Sequence, residues 1–246
     1  SGRVRYLGFD CLAERTLALA QIRKMSDPSK GHDERIAELV PLVAEFTAGG
    51  GRIVGNFGAA NPPAAVNQFV SVLRAGGRSG VRVAMIEGDD ILETVRCEDF
   101  ALPELGTSTS TLADRIVSAH AYIGAEPIVA ALAEGADLVV GGRLADPSLF
   151  VAPICYELGW DVTDWSRVGQ ATLVGHLLEC GVHSTGGNFE DPPHRVIPDP
   201  WNLGFPFAEV SDDGAVVTKL PGTGGAVDVR TARTQIYYEI GDPSCY

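Results

Sequence analysis

The chain has no uninterrupted apolar run of roughly 18 residues, the length a membrane-spanning helix needs. It is also short of positive charge. Nineteen Lys and Arg stand against 32 Asp and Glu, a formal net charge of −13. Nucleic acid and anionic membrane surfaces bind through lysine and arginine, so both are disfavoured as partners. An anionic small molecule stays open, because it needs only a local positive site. Cysteine is sparse and scattered. Cys11, Cys97, Cys155, Cys180 and Cys245 form no CxxC pair, which argues against a zinc knuckle and a disulfide framework. Reduced thiols and a cytoplasmic setting are the expectation. Fixed-period repeats and low-complexity tracts are absent.

What is present is a chain of 246 residues with 45% hydrophobic content, enough for a sizeable core. Short apolar runs alternate with helical patterns, which implies an α/β fold with a doubly wound, mainly parallel sheet and a C-terminal β-hairpin. A single α/β domain is expected over 1–246, with its core in 1–150 and a loop-rich portion in 151–246. The opening Ser1-Gly2-Arg3 directly before a strand, and the ending Asp242-Pro243-Ser244-Cys245-Tyr246, suggest a piece of a longer protein.

In order, Val4–Asp10 reads as a strand and Leu12–Lys24 as a helix. Asp33 is placed to cap a second helix through Phe46, which Pro41 should kink or divide. Strands follow at Arg52–Asn56 and Val81–Ile86; between them the 58–63 stretch turns into a helix through about Ala75, and a short helix lies around Ile91–Val95. Arg115–Ile123 alternates Ile116, Ser118, His120 and Tyr122 with Val117, Ala119, Ala121 and Ile123, the pattern of a strand. A helix from Gly124 to Glu134 and a strand at Ala136–Val140 complete a βαβ unit. Helices at Pro147–Gly159 and Gln170–Cys180, a hairpin about Ser211-Asp212-Asp213-Gly214, and an element around Arg233–Ile240 close the chain.

The centre of this organisation is Ala136–Ser148. A doubly buried strand ends in Gly141-Gly142, followed by Arg143 and Asp146. Ligands of open α/β sheets sit beyond the carboxyl ends of the strands. Asp10, Asn56, Asn61, Glu87, Asp89, Asp90, Arg143 and Asp146 all fall there, where separate strands bring distant residues together. Each can instead serve as an ordinary loop or cap residue. Glu87-Gly88-Asp89-Asp90 offers carboxylates for proton transfer or Mg²⁺, or a helix cap at Ile91. Gly141, Gly142 and Arg143 suit a carboxylate, phosphate or thioester oxygen; the alternative is an Arg143–Asp146 ion pair. Two glycine-rich loops, Thr185-Gly186-Gly187-Asn188 and Gly222-Thr223-Gly224-Gly225 with Lys219 just before it, can cradle an anion. Neither is a Walker A or GxGxxG motif. His176, Glu179 and Cys180 share a helical face, with His183 beyond. Their spacing is not HExxH, and Cys180 reads as a core residue. Metal ligation and a Cys180–His183 nucleophile remain alternatives there, while Glu179 and His183 are acid/base candidates.

Taken together, Tyr6–Leu19, Gly58-Ala59-Ala60-Asn61-Pro62, Glu87-Gly88-Asp89-Asp90, Gly124-Ala125-Glu126-Pro127-Ile128, Gly141–Asp146, Gly175–Gly181, Thr185–Phe189, Asn202–Pro206 and Pro221–Gly225 resemble the acyclic terpene utilisation (AtuA-like) family along nearly the whole chain. The resemblance implies a further strand and glycine-rich turn before Ser1, continuation past Tyr246, and a small α+β partner domain. It leads to asparagine at position 120, where this chain has His120, so it assigns that imidazole no role. It implies breakdown of branched acyl-CoA compounds. The expected enzyme is a hydratase or lyase acting on an unsaturated acyl thioester, with Glu87, Asp89, Arg143 and His183 in the chemistry. The expected substrate-binding residues are Asp10, Asn56, Asn61, Gly141, Gly142, Asp146, Thr185, Gly186, Gly187, Asn188, Lys219, Gly222, Thr223, Gly224 and Gly225. Coenzyme A enters as part of the substrate, Mg²⁺ is the alternative cofactor, and no metal is assigned to the site. The remaining partner expectation is a homo-oligomer. The competing function is a non-catalytic subunit that binds an acyl ligand for a partner enzyme.

Overall fold

The computed structural model describes residues 4–242 and residue 244. The chain divides into one compact unit ending at Ala145 and another beginning at Asp146. The first unit runs β1 (Tyr6–Phe9), α1 (Glu14–Ser26), α2 (Ile36–Ala48), β2 (Arg52–Gly55), α3 (Pro62–Ala75), β3 (Val83–Ile86), α4 (Leu92–Cys97), β4 (Ala101–Leu102), β5 (Thr107–Ser108), α5 (Glu126–Ala133) and β6 (Leu138–Gly141). Its central sheet has the order β1–β2–β6–β3 and is parallel throughout. The chain moves outward from β1 to β3 and then returns to insert β6. With right-handed crossovers, that reversal sends helices to both faces.

The side chains agree. Leu138 and Val140 of β6 and Ile53 of β2 pack with Ile36, Val40 and Val43 of α2 and Ala65, Phe69 and Leu73 of α3. Val54 and Val139, at alternate positions, are equally buried and project the other way. Burial on two faces is why the β6 sequence is a continuous apolar run rather than an alternation. All four strands point their carboxyl ends to one edge.

Four expectations change. Arg115–Ile123 is not a ladder strand. A 3₁₀ helix spans Thr109–Arg115, and beyond it only single bridges occur, Asp90 with His120 and Ile123 with Leu144. Pro41 does not divide α2, which runs unbroken from Ile36 to Ala48. The missing N–H removes one hydrogen bond near the start of a helix whose apolar face is anchored by Ile36, Val40 and Val43. Asp33 is not the cap residue of α2. It accepts from the Arg35 N–H in a turn just upstream, and Arg35 occupies the cap position without side-chain capping. The helix expected from Gln170 begins earlier, at Trp165, because the Asp164 side chain caps it through the Arg167 N–H.

In the second unit, α6 (Ser148–Leu158) packs on α7 (Trp165–Leu178). A Cβ at Gly175 would lie 2.7 Å from the Cβ of Pro147, so glycine there permits the close approach. The hairpin β7 (Pro206–Ser211) and β8 (Gly214–Lys219) follows, then α8 (Val229–Ile240), which packs on α7. Asp228 caps α8 with a reciprocal bond to Thr231. Among the described residues no helix is long and apolar enough to cross a membrane, and no disulfide joins Cys11, Cys97, Cys155 and Cys180.

The edge that carries the site is locked at Gly58. Its N–H donates to Gly141 O at 2.8 Å, and a Cβ would stand 2.6 Å from that oxygen. Gly58→Ala is expected to lose roughly 2–4 kcal/mol of stability through this overpacking. Gly80→Ala, where nothing lies within 4 Å, should stay within about 0.5 kcal/mol of the parent. Denaturant titration of both variants checks this; equal stabilities would refute the lock.

Candidate functional site

The carboxyl edge is organised around Asp89, in the loop after β3. Its residue is 4% exposed. The Arg143 backbone N–H donates to Asp89 Oδ2 at 2.8 Å, and the same oxygen is 3.1 Å from His120 Nδ1. Burial alone would push the Asp89 carboxyl up. The hydrogen bonds from His120 and Arg143, with the His120 charge, outweigh it and hold the group below the ordinary carboxylate range. An ionised carboxylate only accepts, so His120 Nδ1 carries the hydrogen; in the neutral ring Nε2 is then the acceptor nitrogen. Backbone bonds fix this geometry: Ala121 N donates to Asp89 O at 2.8 Å and Ile91 N to Ala119 O at 2.9 Å. A Cβ at 142 would run into the Asp89 carboxylate, which is the reason for Gly142. A Cβ at 141 would strike the Leu144 side chain.

The His120 side chain is 4% exposed, and its Nε2 is buried with no hydrogen-bond partner in the structure. His120 lines a hollow of about 180 Å³ with Glu14, Leu17, Ser118, Ala119, Tyr122 and Arg143. Arg143 is 1% exposed. Its Nε and Nη2 donate to Leu144 O at 3.0 and 2.6 Å and its Nη1 to Leu12 O at 3.3 Å. The guanidinium carbon stands 4.6 Å from the centre of the Tyr122 ring. Tyr122 in turn donates its hydroxyl to Glu14 at the first turn of α1, which lowers the Glu14 pKa and raises that of Tyr122. A buried cation therefore borders the hollow, held by carbonyl oxygens and an aromatic face.

The other expected residues are distributed differently. Asn56 donates to Asp10 Oδ1 at 2.6 Å and accepts from Cys11 N at 2.6 Å. It faces a second hollow of about 270 Å³, on the side of α1 carrying Thr16, Ala20 and Arg23. Cys11 lines that hollow too; burial, with Asp33, pushes its thiol up to about 12, so it is not a thiolate near neutral pH. Asn61 caps α3 at Ala64 N and donates to Pro28 O and Lys30 O. Glu87 is exposed, and Asp90, also exposed, accepts from Leu92 N at the start of α4. With Asp89 turned inward and its two neighbours outward, Glu87–Asp90 presents no shared set of ligand oxygens.

Asp146 opens the second unit, and the remaining expected residues lie within it. Gly186, Gly187 and Asn188 donate their N–H groups to His183 O, Val182 O and His183 O, and Thr185 O accepts from Ala226 N. Gly224 N donates to Asn202 O and Gly225 N to Pro198 O. Gly222 has φ +76°, with nothing within 4 Å of a Cβ built there. Lys219 Nζ donates to Thr223 O at 2.6 Å. The two glycine loops thus bond within the unit and to each other, and a Cβ at 225 would collide with Thr185 O. His183 is exposed, edge-on to Tyr238. His176, Glu179 and Glu239 gather between α7 and α8. Burial lowers the His176 pKa against the charge of Glu239, keeping the imidazole neutral, and burial pushes the Cys180 thiol up.

His120 is the residue sequence reasoning passed over. Its signal was the alternation itself, which set Ser118, His120 and Tyr122 on one side, where all three line the hollow. A parallel sheet with helices on both faces defines an α/β protein, a class whose ligands commonly sit beyond the carboxyl ends of the strands. More particularly, the chain belongs to the family described as acyclic terpene utilisation family protein AtuA, whose model matches residues 1–246. No curated protein and no solved structure matches it.

The lowered Asp89 pKa has a pH consequence. Its stabilisation is present in full above the unfolded value of about 3.9 and is lost as pH falls through the lower folded value. In denaturant titrations from roughly pH 6 to pH 3, Asp89→Asn should show a shallower acid loss than the parent. Parallel losses would remove Asp89 from the acid limb.

Proposed function

We propose that this protein is an enzyme of acyclic terpene breakdown that moves a proton on a branched, unsaturated acyl compound, carried as a coenzyme A thioester. The reaction is of the hydratase or lyase type, at the smaller hollow of the first unit. One observation carries the reading: a buried imidazole is tied to a carboxylate through Nδ1, its Nε2 has no hydrogen-bond partner, and His120 lines the same hollow as a buried arginine. That is the arrangement of a general base oriented by a carboxylate.

His120 Nε2 takes a proton from water as the oxygen adds to the double bond. Negative charge moves to the thioester oxygen, beside Arg143. The proton then goes to the carbon next to the carbonyl, and no redox partner is required. Asp89 is a positioning residue that fixes the tautomer and stabilises the imidazolium. The Arg143 guanidinium is itself buried, so its charge is a fixed, poorly hydrated one. At about 180 Å³, the hollow has room for about six water volumes of roughly 30 Å³ each. It therefore holds the reacting end of the thioester and leaves the coenzyme outside.

Mass spectrometry of purified protein with branched, unsaturated medium-chain acyl-CoA thioesters should detect gain or loss of one water. In deuterated solvent, label should enter next to the carbonyl. His120→Gln should lower kcat by about 10²–10⁴-fold without unfolding the chain. Asp89→Asn should lower kcat and displace the pH profile of the remaining activity. Absence of turnover and of deuterium exchange would refute the proposal; tight thioester binding without turnover would favour an acyl-ligand-binding subunit.

A further inference from the structure

The second unit holds a separate convergence of ligating atoms, which the proton-transfer reading does not use. His176 and Glu179 lie three residues apart at the end of α7, and Glu239 reaches them from α8. His176 Nδ1 is 3.8 Å from Glu179 Oε1 and 3.8 Å from Glu239 Oε2. The three side chains are 6%, 2% and 13% exposed. One ligand atom from each falls within 4.8 Å of the other two.

We propose that His176, Glu179 and Glu239 bind a divalent first-row metal ion. Ligands with bonds of about 2.0–2.2 Å stand roughly 3–3.5 Å apart at tetrahedral or octahedral angles. Side-chain rotations of about 1 Å or less bring these atoms to that spacing. One imidazole nitrogen with two carboxylates falls where the preferences of Zn²⁺, Fe²⁺ and Mn²⁺ overlap. A divalent ion brings two positive charges to two carboxylates.

The surroundings have the form of outer-shell support. Cys180 Sγ–H and Gln235 Nε2 both donate to Glu239 Oε1, at 3.2 and 3.1 Å, which leaves Oε2 turned toward His176. Such bonds fix a carboxylate ligand in place. Gln235 supplies the independent observation. It is fully buried, its Nε2 donates to His176 O and Glu239 Oε1, and its Oε1 has no hydrogen-bond partner in the structure. A buried orphan acceptor costs stability, and this carbonyl oxygen, on the amide that bonds Glu239, is a candidate fourth donor to a metal.

Protein freed of metal by chelation is titrated with Zn²⁺ and, separately, Mn²⁺ by calorimetry. At least one ion should bind with a stoichiometry of one per chain. Glu239→Gln keeps the shape and removes the charge, and should weaken binding by about 10-fold or more. Glu209→Gln, an exposed change on β7, should not. In protein with ¹⁵N-labelled histidine, bound Mn²⁺ should broaden the His176 ring signals selectively. Failure of both ions to bind saturably, equal affinity in the parent and Glu239→Gln, or broadening confined to other histidines would each overturn the site.

Discussion

One buried carboxylate holds the functional edge together. Asp89 joins three stretches of the first unit: the loop after β3 that carries it, the backbone of Arg143 after β6, and the 115–123 segment through His120. Each bond satisfies a donor in a place water does not easily reach. Removing the acceptor would strand the Arg143 N–H and His120 Nδ1, at about 1–3 kcal/mol for each buried group left unpaired. The constraint reaches into the sequence. Gly142 must lack a side chain because the Asp89 carboxylate occupies that space. Gly58 must lack one because the β2–α3 turn closes against Gly141 O.

Arg143 serves both the fold and the proposed chemistry. Its charge is buried at 1% exposure, which is tolerable only because carbonyl oxygens take up its donors and the Tyr122 ring covers its face. Those same contacts place a fixed positive charge against the hollow. In the proposed reaction, such a fixed charge needs little reorganisation when negative charge develops beside it. α1 separates this hollow from the larger one by a helical rotation: Glu14 and Leu17 face one, Thr16, Ala20 and Arg23 the other.

The parallel sheet was legible because two-faced burial writes itself as continuous apolar runs, as at Leu138–Val140. Helix ends were legible where local chemistry set them, as at Gly159 after α6. The 115–123 segment misled because alternation reports which side a residue faces, not whether a neighbour supplies a full ladder. Only single bridges hold it. Pro41 does not divide α2 because the burial of Ile36, Val40 and Val43 outweighs one missing hydrogen bond. At the site, a residue's place beyond a strand end was readable, but its direction was not. Asp89 turns inward while Glu87, two residues away, is exposed. The glycine loops at 185–188 and 222–225 meet each other across distant sequence, which no local pattern announces. His120 carries meaning only once Asp89 is beside it.

The proposed chemistry depends on the state of one imidazole. Nitrogen-15 NMR of the neutral His120 ring reports directly which nitrogen carries the hydrogen. The Asp89 geometry predicts the Nδ1–H tautomer, with Nε2 responding to acyl thioester. A neutral ring protonated at Nε2, unchanged by Asp89→Asn, would contradict it.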